Sequence, residues 1–203
     1  MARWFPFRLR VRRQGQPVHH AHEETAGPET SIQRYFDLIE LLGDKLGPIV
    51  FQLPPRWHLN LDRFATFLKA LPKRWQYAFE FRDESWFDPR AYELLAAHKA
   101  ALCLYDYGGR QAPLEATADF AYIRLHGPGG PYQGSYSDEA LAMWAQRMLS
   151  WRAQGVSVYC YFDNDEQGYA PANALTLAHL IAAGSNHGGL CEDAQRSREP
   201  APA

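Results

Sequence analysis

The sequence is short of cysteine. Cys103, Cys160 and Cys191 are its three cysteines in 203 residues. They are too few and too scattered for a disulfide framework or a zinc motif. Cys103 and Cys160 fall in apolar runs, so buried thiols and a reducing, cytoplasmic compartment are expected. No apolar run approaches the roughly 18–20 residues of a membrane-spanning helix. The start carries Arg3, Arg8, Arg10, Arg12 and Arg13 without the apolar stretch of a signal peptide, and none is expected. An excess of one charge is missing too. Lys+Arg number 21 and Asp+Glu 23, for a net charge of −2. A dedicated nucleic-acid binder is usually strongly basic. Neither GxGxxG after a strand nor GxxxxGK[ST] occurs, which removes the best support for the phosphate-loop folds.

What the chain does have is a large apolar share, 46%, with 14% aromatic residues. That is enough for a core in one large domain or two small ones. Apolar runs suited to buried strands alternate with amphipathic segments. The strand candidates are Phe5–Val11, Pro48–Leu53, Trp75–Arg82, Ala101–Asp106, Phe120–His126 and Gly155–Phe162. Helices are expected from Ser31 to about Leu42, from Leu61 to Ala70 capped by Asn60, and from Pro89 to about Lys99 capped by Asp88. Two more follow, from Ser137 to about Ala153 and from Pro171 to about Ala183. Residues 12–30 read as a long loop, and 127–131 as a flexible, glycine-rich one. Residues 1–184 are expected to form a single domain and 185–203 a disordered polar tail. Strand–helix alternation implies parallel pairing with right-handed crossovers. A doubly wound sheet and a barrel both satisfy it.

Most strand candidates end in chemically capable side chains, and such strand ends are where parallel α/β folds place ligand sites. Glu80 and Arg82 are two apart on one strand and share a face. They could form a structural ion pair, or Glu80 could act as a general base oriented by Arg82. Arg124 and His126 repeat the spacing. A neighbouring guanidinium favours the neutral imidazole that a base or ligand needs. Glu80 and His126 are therefore the catalytic candidates. Arg82 and Arg124 are candidate anion clamps. Gln52, Asp106, Tyr161 and Asn164 would add hydrogen-bonding groups. Trp86 could offer a stacking surface or pack over a strand end.

Glu80, Asp106, His126 and Asp163 together could hold a divalent metal by oxygen and nitrogen ligation, though their spacing matches no metal motif. The cluster His19-His20-Ala21-His22 looks metal-binding but sits in an expected loop, where a solvated role is the simpler reading. A small polar or anionic ligand is the expected partner. Nucleic-acid binding, or metal-dependent phosphodiester processing at the same strand ends, is the alternative. Its salt dependence would identify it.

Several phrases together resemble a known family. They are Lys45-Leu46-Gly47-Pro48 through Phe51-Gln52-Leu53-Pro54-Pro55, Glu80-Phe81-Arg82 with Ser85-Trp86, Tyr122-Ile123-Arg124-Leu125-His126-Gly127, and Tyr159-Cys160-Tyr161-Phe162-Asp163-Asn164. The set is similar to the YecE-like family, domain of unknown function 72. Ala170, Asn173 and Ala174 match its last helix. The resemblance runs over about residues 5–183. It implies a TIM-type (β/α) barrel with helices outside and a polar cluster at the C-terminal rim, lined by Gln52, Glu80, Arg82, Trp86, Asp106, Arg124, His126 and Asn164. It implies no reaction.

The chain also departs from that pattern. It starts near the family's third strand, so about six of eight strands are expected: an incomplete barrel. Exposed edges would then favour self-association, cover by the N-terminal segment, or an inactive fragment. The family's usual Thr-His pair has no counterpart in residues 16–24. Asp163 stands where the family more often has Asn.

Overall fold

The computed structural model describes residues 28–196, with side chains from 33 to 185. The strand expected at Phe5–Val11, the N-terminal arginines and the His19–His22 cluster lie outside the described residues. The described residues form a mostly parallel α/β sheet of six strands with five helices. The chain divides into two compact units, Met1–Leu102 and Cys103–Ala203.

The first unit contains α1 (Pro28–Glu40), β1 (Ile49–Leu53), α2 (Leu61–Ala70), β2 (Tyr77–Phe81), α3 (Pro89–Ala97) and the start of β3 (Ala101–Tyr107). Its helices begin where side chains replace missing backbone partners. Asn60 accepts from the Arg63 amide at 2.9 Å, and Asp88 accepts from the Arg90 amide at 2.8 Å with Pro89 behind it. Each such cap contributes about 1 kcal/mol. β1 and β2 pair in parallel with Phe51 opposite Phe79 and Gln52 opposite Glu80, and Ala78 of β2 pairs with Ala101 of β3.

The period-2 alternation of a strand sorts β2 into two faces. Phe79 and Phe81 meet Phe64 of α2 edge-on at 5.2 and 5.8 Å, and Phe51 stacks on Phe79 at 5.4 Å. Glu80 therefore points to the face opposite α2. Phe36 of α1 stacks on Trp75 at 4.9 Å and extends the aromatic core.

The second unit contains the rest of β3, then β4 (Arg110–Gln111), β5 (Phe120–Leu125), α4 (Asp138–Ala153), β6 (Ser157–Phe162) and α5 (Tyr169–Arg196). β5 lies between β3 and β6, parallel to both. Leu104, Ile123 and Leu125 are buried, as are Leu141, Trp144 and Met148 of α4 and Leu177 of α5. Ser137 caps α4 by accepting from the Ala140 amide at 3.2 Å, and Asp138 and Glu139 sit against the positive end of its dipole.

Three elements differ from their sequence pattern. α1 starts at Pro28, so Ser31 lies inside it. Proline is tolerated in a first helical turn. β4 is a two-residue antiparallel strand on β3, reached through Gly108-Gly109. It carries no alternation to reveal it. α5 begins two residues before Pro171 and continues to Arg196, through the first part of the segment expected as a tail. The next proline after Pro171 is Pro200, so nothing covalent stops the helix at Gly184. Residues 197–203 lie outside the described residues.

Candidate functional site

The polar strand ends divide between the units, and each set has its own logic. In the first unit Glu80 is fully buried and forms an ion pair with Arg82, two residues on along the same face. Gln52 lies beside Glu80 in register, and its Oε1 is buried with no hydrogen-bond partner among the described residues. Trp86 is 3% exposed. Its indole stacks on Phe81 at 4.7 Å, meets Phe64 edge-on and donates to the Trp57 carbonyl at 2.6 Å. Both ring and N–H are engaged in the unit's core, so packing is its observed role.

The second unit holds the denser constellation. Arg124, near the end of β5, donates to Asp163 Oδ2 at 2.6 Å. The same oxygen lies 3.4 Å from His126 Nδ1. All three residues are buried. Register explains their meeting. Arg124 pairs with Tyr161 and Leu125 with Phe162, so Asp163 falls beside His126. The backbone continues the ladder one step further, with the Asp163 amide on the Leu125 carbonyl at 2.8 Å and the His126 amide on the Asp106 carbonyl at 2.8 Å. The sequence pairs Arg124 with His126 by spacing. In the fold Asp163, 39 residues from Arg124 along the chain, is what joins them.

Asp106 does not join that trio. It is opposite Leu125 in register, and paired residues of neighbouring strands share a face. Its Cβ is thus on the side of Leu125, away from Arg124 and His126. Asp106 is 7% exposed, and its Oδ1 is buried with no hydrogen-bond partner among the described residues. Burial raises its pKa from 3.8, a shift opposed by the Gln111 side chain at 3.4 Å and by the charge of His126. The raised value favours the protonated carboxyl. Its contribution is complete below the ordinary value near 3.8 and declines as pH rises through the raised one. Asp106→Asn, which cannot ionise, is expected to flatten that decline. Melts of both proteins from acid pH to neutrality should converge at the acid end and separate above it. Parallel curves would exclude Asp106 as the cause.

Nor do Glu80, Asp106, His126 and Asp163 make the metal site that their chemistry allowed. Among the described residues no group of three or more His, Cys, Asp or Glu side chains is placed to hold a metal ion. Tyr161 is 44% exposed and stacks on Tyr122 at 5.1 Å. Asn164 is fully buried and donates from Nδ2 to the Gly134 carbonyl and to Asn173 Oδ1, both at 2.8 Å. Its own Oδ1 has no hydrogen-bond partner among the described residues.

The loop from Gly127 to Tyr136 is tied down by several hydrogen bonds. The Gly127 amide donates to the Tyr136 hydroxyl at 2.9 Å, and the Gly134 amide donates to Glu166 at 2.9 Å. Asn173 of α5 accepts from the Tyr136 amide at 3.1 Å and donates to Ser135 Oγ at 3.1 Å. The sequence assigns no role to Tyr136 or Asn173. Asn173 enters there only as a match to the family's last helix, and an asparagine inside a helix, where its side chain competes with the backbone, is a second signal. Cys103 is buried as expected, whereas Cys160 is half-buried, with its thiol pKa pushed up to about 12 by desolvation.

These features define a mostly parallel α/β protein with buried polar residues at the C-terminal ends of its strands, consistent with an incomplete TIM-type barrel. The chain belongs to the family described as protein of unknown function DUF72, whose model matches residues 6–198. A DUF72 family protein from Thermotoga maritima is 23% identical, with a TM-score of 0.69 over 78% of this chain and 67% of that one. One from Enterococcus faecalis is 17% identical, with a TM-score of 0.69 over 77% of this chain and 67% of that one. These likenesses establish the shared fold. No curated protein matches the chain. No helix among the described residues is long and apolar enough to cross a membrane.

Proposed function

We propose that the chain binds a small polar ligand bearing hydroxyl or amino groups at the C-terminal ends of β5 and β6, and acts on it by acid–base chemistry through His126. One observation carries this reading: a buried carboxylate, Asp163, is shared between the Arg124 guanidinium and His126 Nδ1. A carboxylate 3.4 Å from Nδ1 stabilises the imidazolium formed when the ring takes a proton.

The ligand class follows from which groups are already engaged. Arg82 and Arg124 each hold a buried carboxylate, so neither presents a net positive charge to an anion. The acceptor Asn164 Oδ1 is buried without a hydrogen-bond partner among the described residues. Buried acceptors without partners call for donors, which hydroxyl and amino groups supply. In this reading the Glu80–Arg82 pair serves the structure of the first unit. The free thiols Cys103 and Cys160 suit a cytoplasmic setting.

A thermal-shift screen tests the proposal, with one panel of polyols, sugars and amino sugars and another of phosphate, sulfate and small carboxylates. A ligand from the first panel at a hundred times its Kd should stabilise the protein by about 2.7 kcal/mol. His126→Gln should keep the fold yet lower turnover of that ligand by on the order of 100-fold or more. Stabilisation by the anion panel alone, or unchanged turnover in His126→Gln, would overturn it.

A further inference from the structure

His126 is fully buried although it stands just beyond the end of β5, next to a loop. Two tyrosines help to account for that. Tyr107, the last residue of β3, meets the imidazole edge-on with ring centroids 5.4 Å apart and planes at 77°. Its place is set by register, since Asp106 pairs with Leu125 and the next residues are Tyr107 and His126. Tyr132 meets the imidazole at 5.5 Å and 81°, and meets Tyr107 at 6.0 Å and 90°. Three rings thus pack mutually edge to face. Tyr132 comes from the loop that follows β5.

The backbone that delivers Tyr132 is unusual. The Gln133 amide donates to the Gly130 carbonyl at 3.1 Å, closing a four-residue turn with Pro131 and Tyr132 at its centre. Tyr132 has φ +66, in the left-handed region. Proline followed by positive φ is the pattern of a type II turn, whose third position ordinarily takes glycine or asparagine. A tyrosine there works against its own backbone preference. Such strain persists where surrounding contacts over-determine the conformation, and it clusters at ligand clamps and switch regions. The contacts are present: the Gly129 amide on the Gln133 carbonyl at 3.2 Å, the Gly108 amide on the Gly127 carbonyl at 3.0 Å, and the ring contacts with His126 and Tyr107.

We propose that Tyr132 is the gate of the His126 site: its ring, held over the imidazole by a strained Pro131-Tyr132 turn, must swing aside for a small polar ligand to enter. The ligand then meets an opening walled by Tyr107, whose ring face suits the apolar face of a polyhydroxylated molecule. The functional meaning of the gate rests on the acid–base reading of His126. The gate itself concerns only access to the ring, so it is tested whether or not His126 does chemistry. Tyr132 is accordingly a positioning and access residue.

Carbethoxylation by diethyl pyrocarbonate, read residue by residue by peptide mass spectrometry, measures that access. His58, whose side chain is 80% exposed, is the internal reference. Labelling of a buried group proceeds through local opening, so its rate follows the open population. In the wild type His126 should react much more slowly than His58. Tyr132→Asn removes the ring and suits the left-handed turn, and should raise the His126 rate about tenfold at an unchanged or higher melting temperature. Tyr132→Phe keeps the ring and should label like the wild type. The proposal is overturned if Tyr132→Asn leaves His126 as slow as before, or if Tyr132→Phe labels as fast as Tyr132→Asn. It is also overturned if faster labelling comes with a fallen melting temperature in both Tyr132→Asn and Tyr132→Gly, because the ring would then be a structural prop.

Discussion

Gly127→Ala is expected to lower the melting temperature by about 6–12 °C, equivalent to about 3 kcal/mol or more. Two effects act together. Gly127 has φ +117, a backbone conformation that residues with a side chain rarely adopt. An added Cβ would also press into the backbone of Gln133, 2.8 Å from its amide nitrogen and closer still to its carbonyl oxygen. That neighbour is main chain held in the Gly130–Gln133 turn, so it cannot swing away as a flexible side chain would. Gly109→Ala supplies the comparison. Gly109 has φ +80 with nothing within 4 Å of an added Cβ, so the variant should show conformational strain alone, about 1 kcal/mol. Differential scanning calorimetry of the two variants separates strain from collision. Equal losses would mean that the Gly127–Gln133 approach contributes nothing.

Asp163→Ala is expected to cost about 3–5 kcal/mol in urea unfolding, because it removes the carboxylate that answers a buried guanidinium. The loss should be larger than that of the double variant Arg124→Met/Asp163→Leu, in which neither charge remains and apolar volume fills the space. Replacing both members of a buried pair is often neutral, whereas removing one is not. The double variant also separates stability from function. It should fold, yet lack the carboxylate beside His126, and so fail to turn over a ligand of the wild type. A single variant within about 1 kcal/mol of the wild type would show that the Arg124–Asp163 bond contributes little.

Much of the fold is legible along the chain because its signals are local. Asn60, Asp88 and Ser137 stand where caps are needed, and each accepts the amide expected of a cap. The five longer described strands lie within a residue or two of their apolar runs. The count of six strands coincides with expectation for a different reason. It includes β4, which has no pattern of its own, while Phe5–Val11 lies outside the described residues. The length of α5 was hidden because glycines at 184, 188 and 189 suggest an end, although glycine only weakens a helix and does not terminate it.

The candidate site was legible in its membership more than in its wiring. Spacing along one strand places Glu80 with Arg82 and Arg124 with His126, because side chains two apart share a face. The first is an ion pair. The second is joined by Asp163, which approaches from the end of the neighbouring strand. Spacing could not separate Asp106 from that group, since its face depends on how β3 is registered against β5. Trp86, read either for stacking or for packing over a strand end, is drawn into the aromatic core by Phe64 and Phe81.

The sequence by itself determined which segments become strands and helices, where most helices begin, and which residues share a face within each strand. These are consequences of backbone geometry and nearest neighbours. Only the tertiary structure decided that Asp163 serves both Arg124 and His126, that Asn173 holds the glycine-rich loop, and that a strained turn sets Tyr132 against His126. Each of those depends on strand register or loop closure across tens of residues. Register is chosen by the burial of whole faces, which no single stretch of the chain can specify alone.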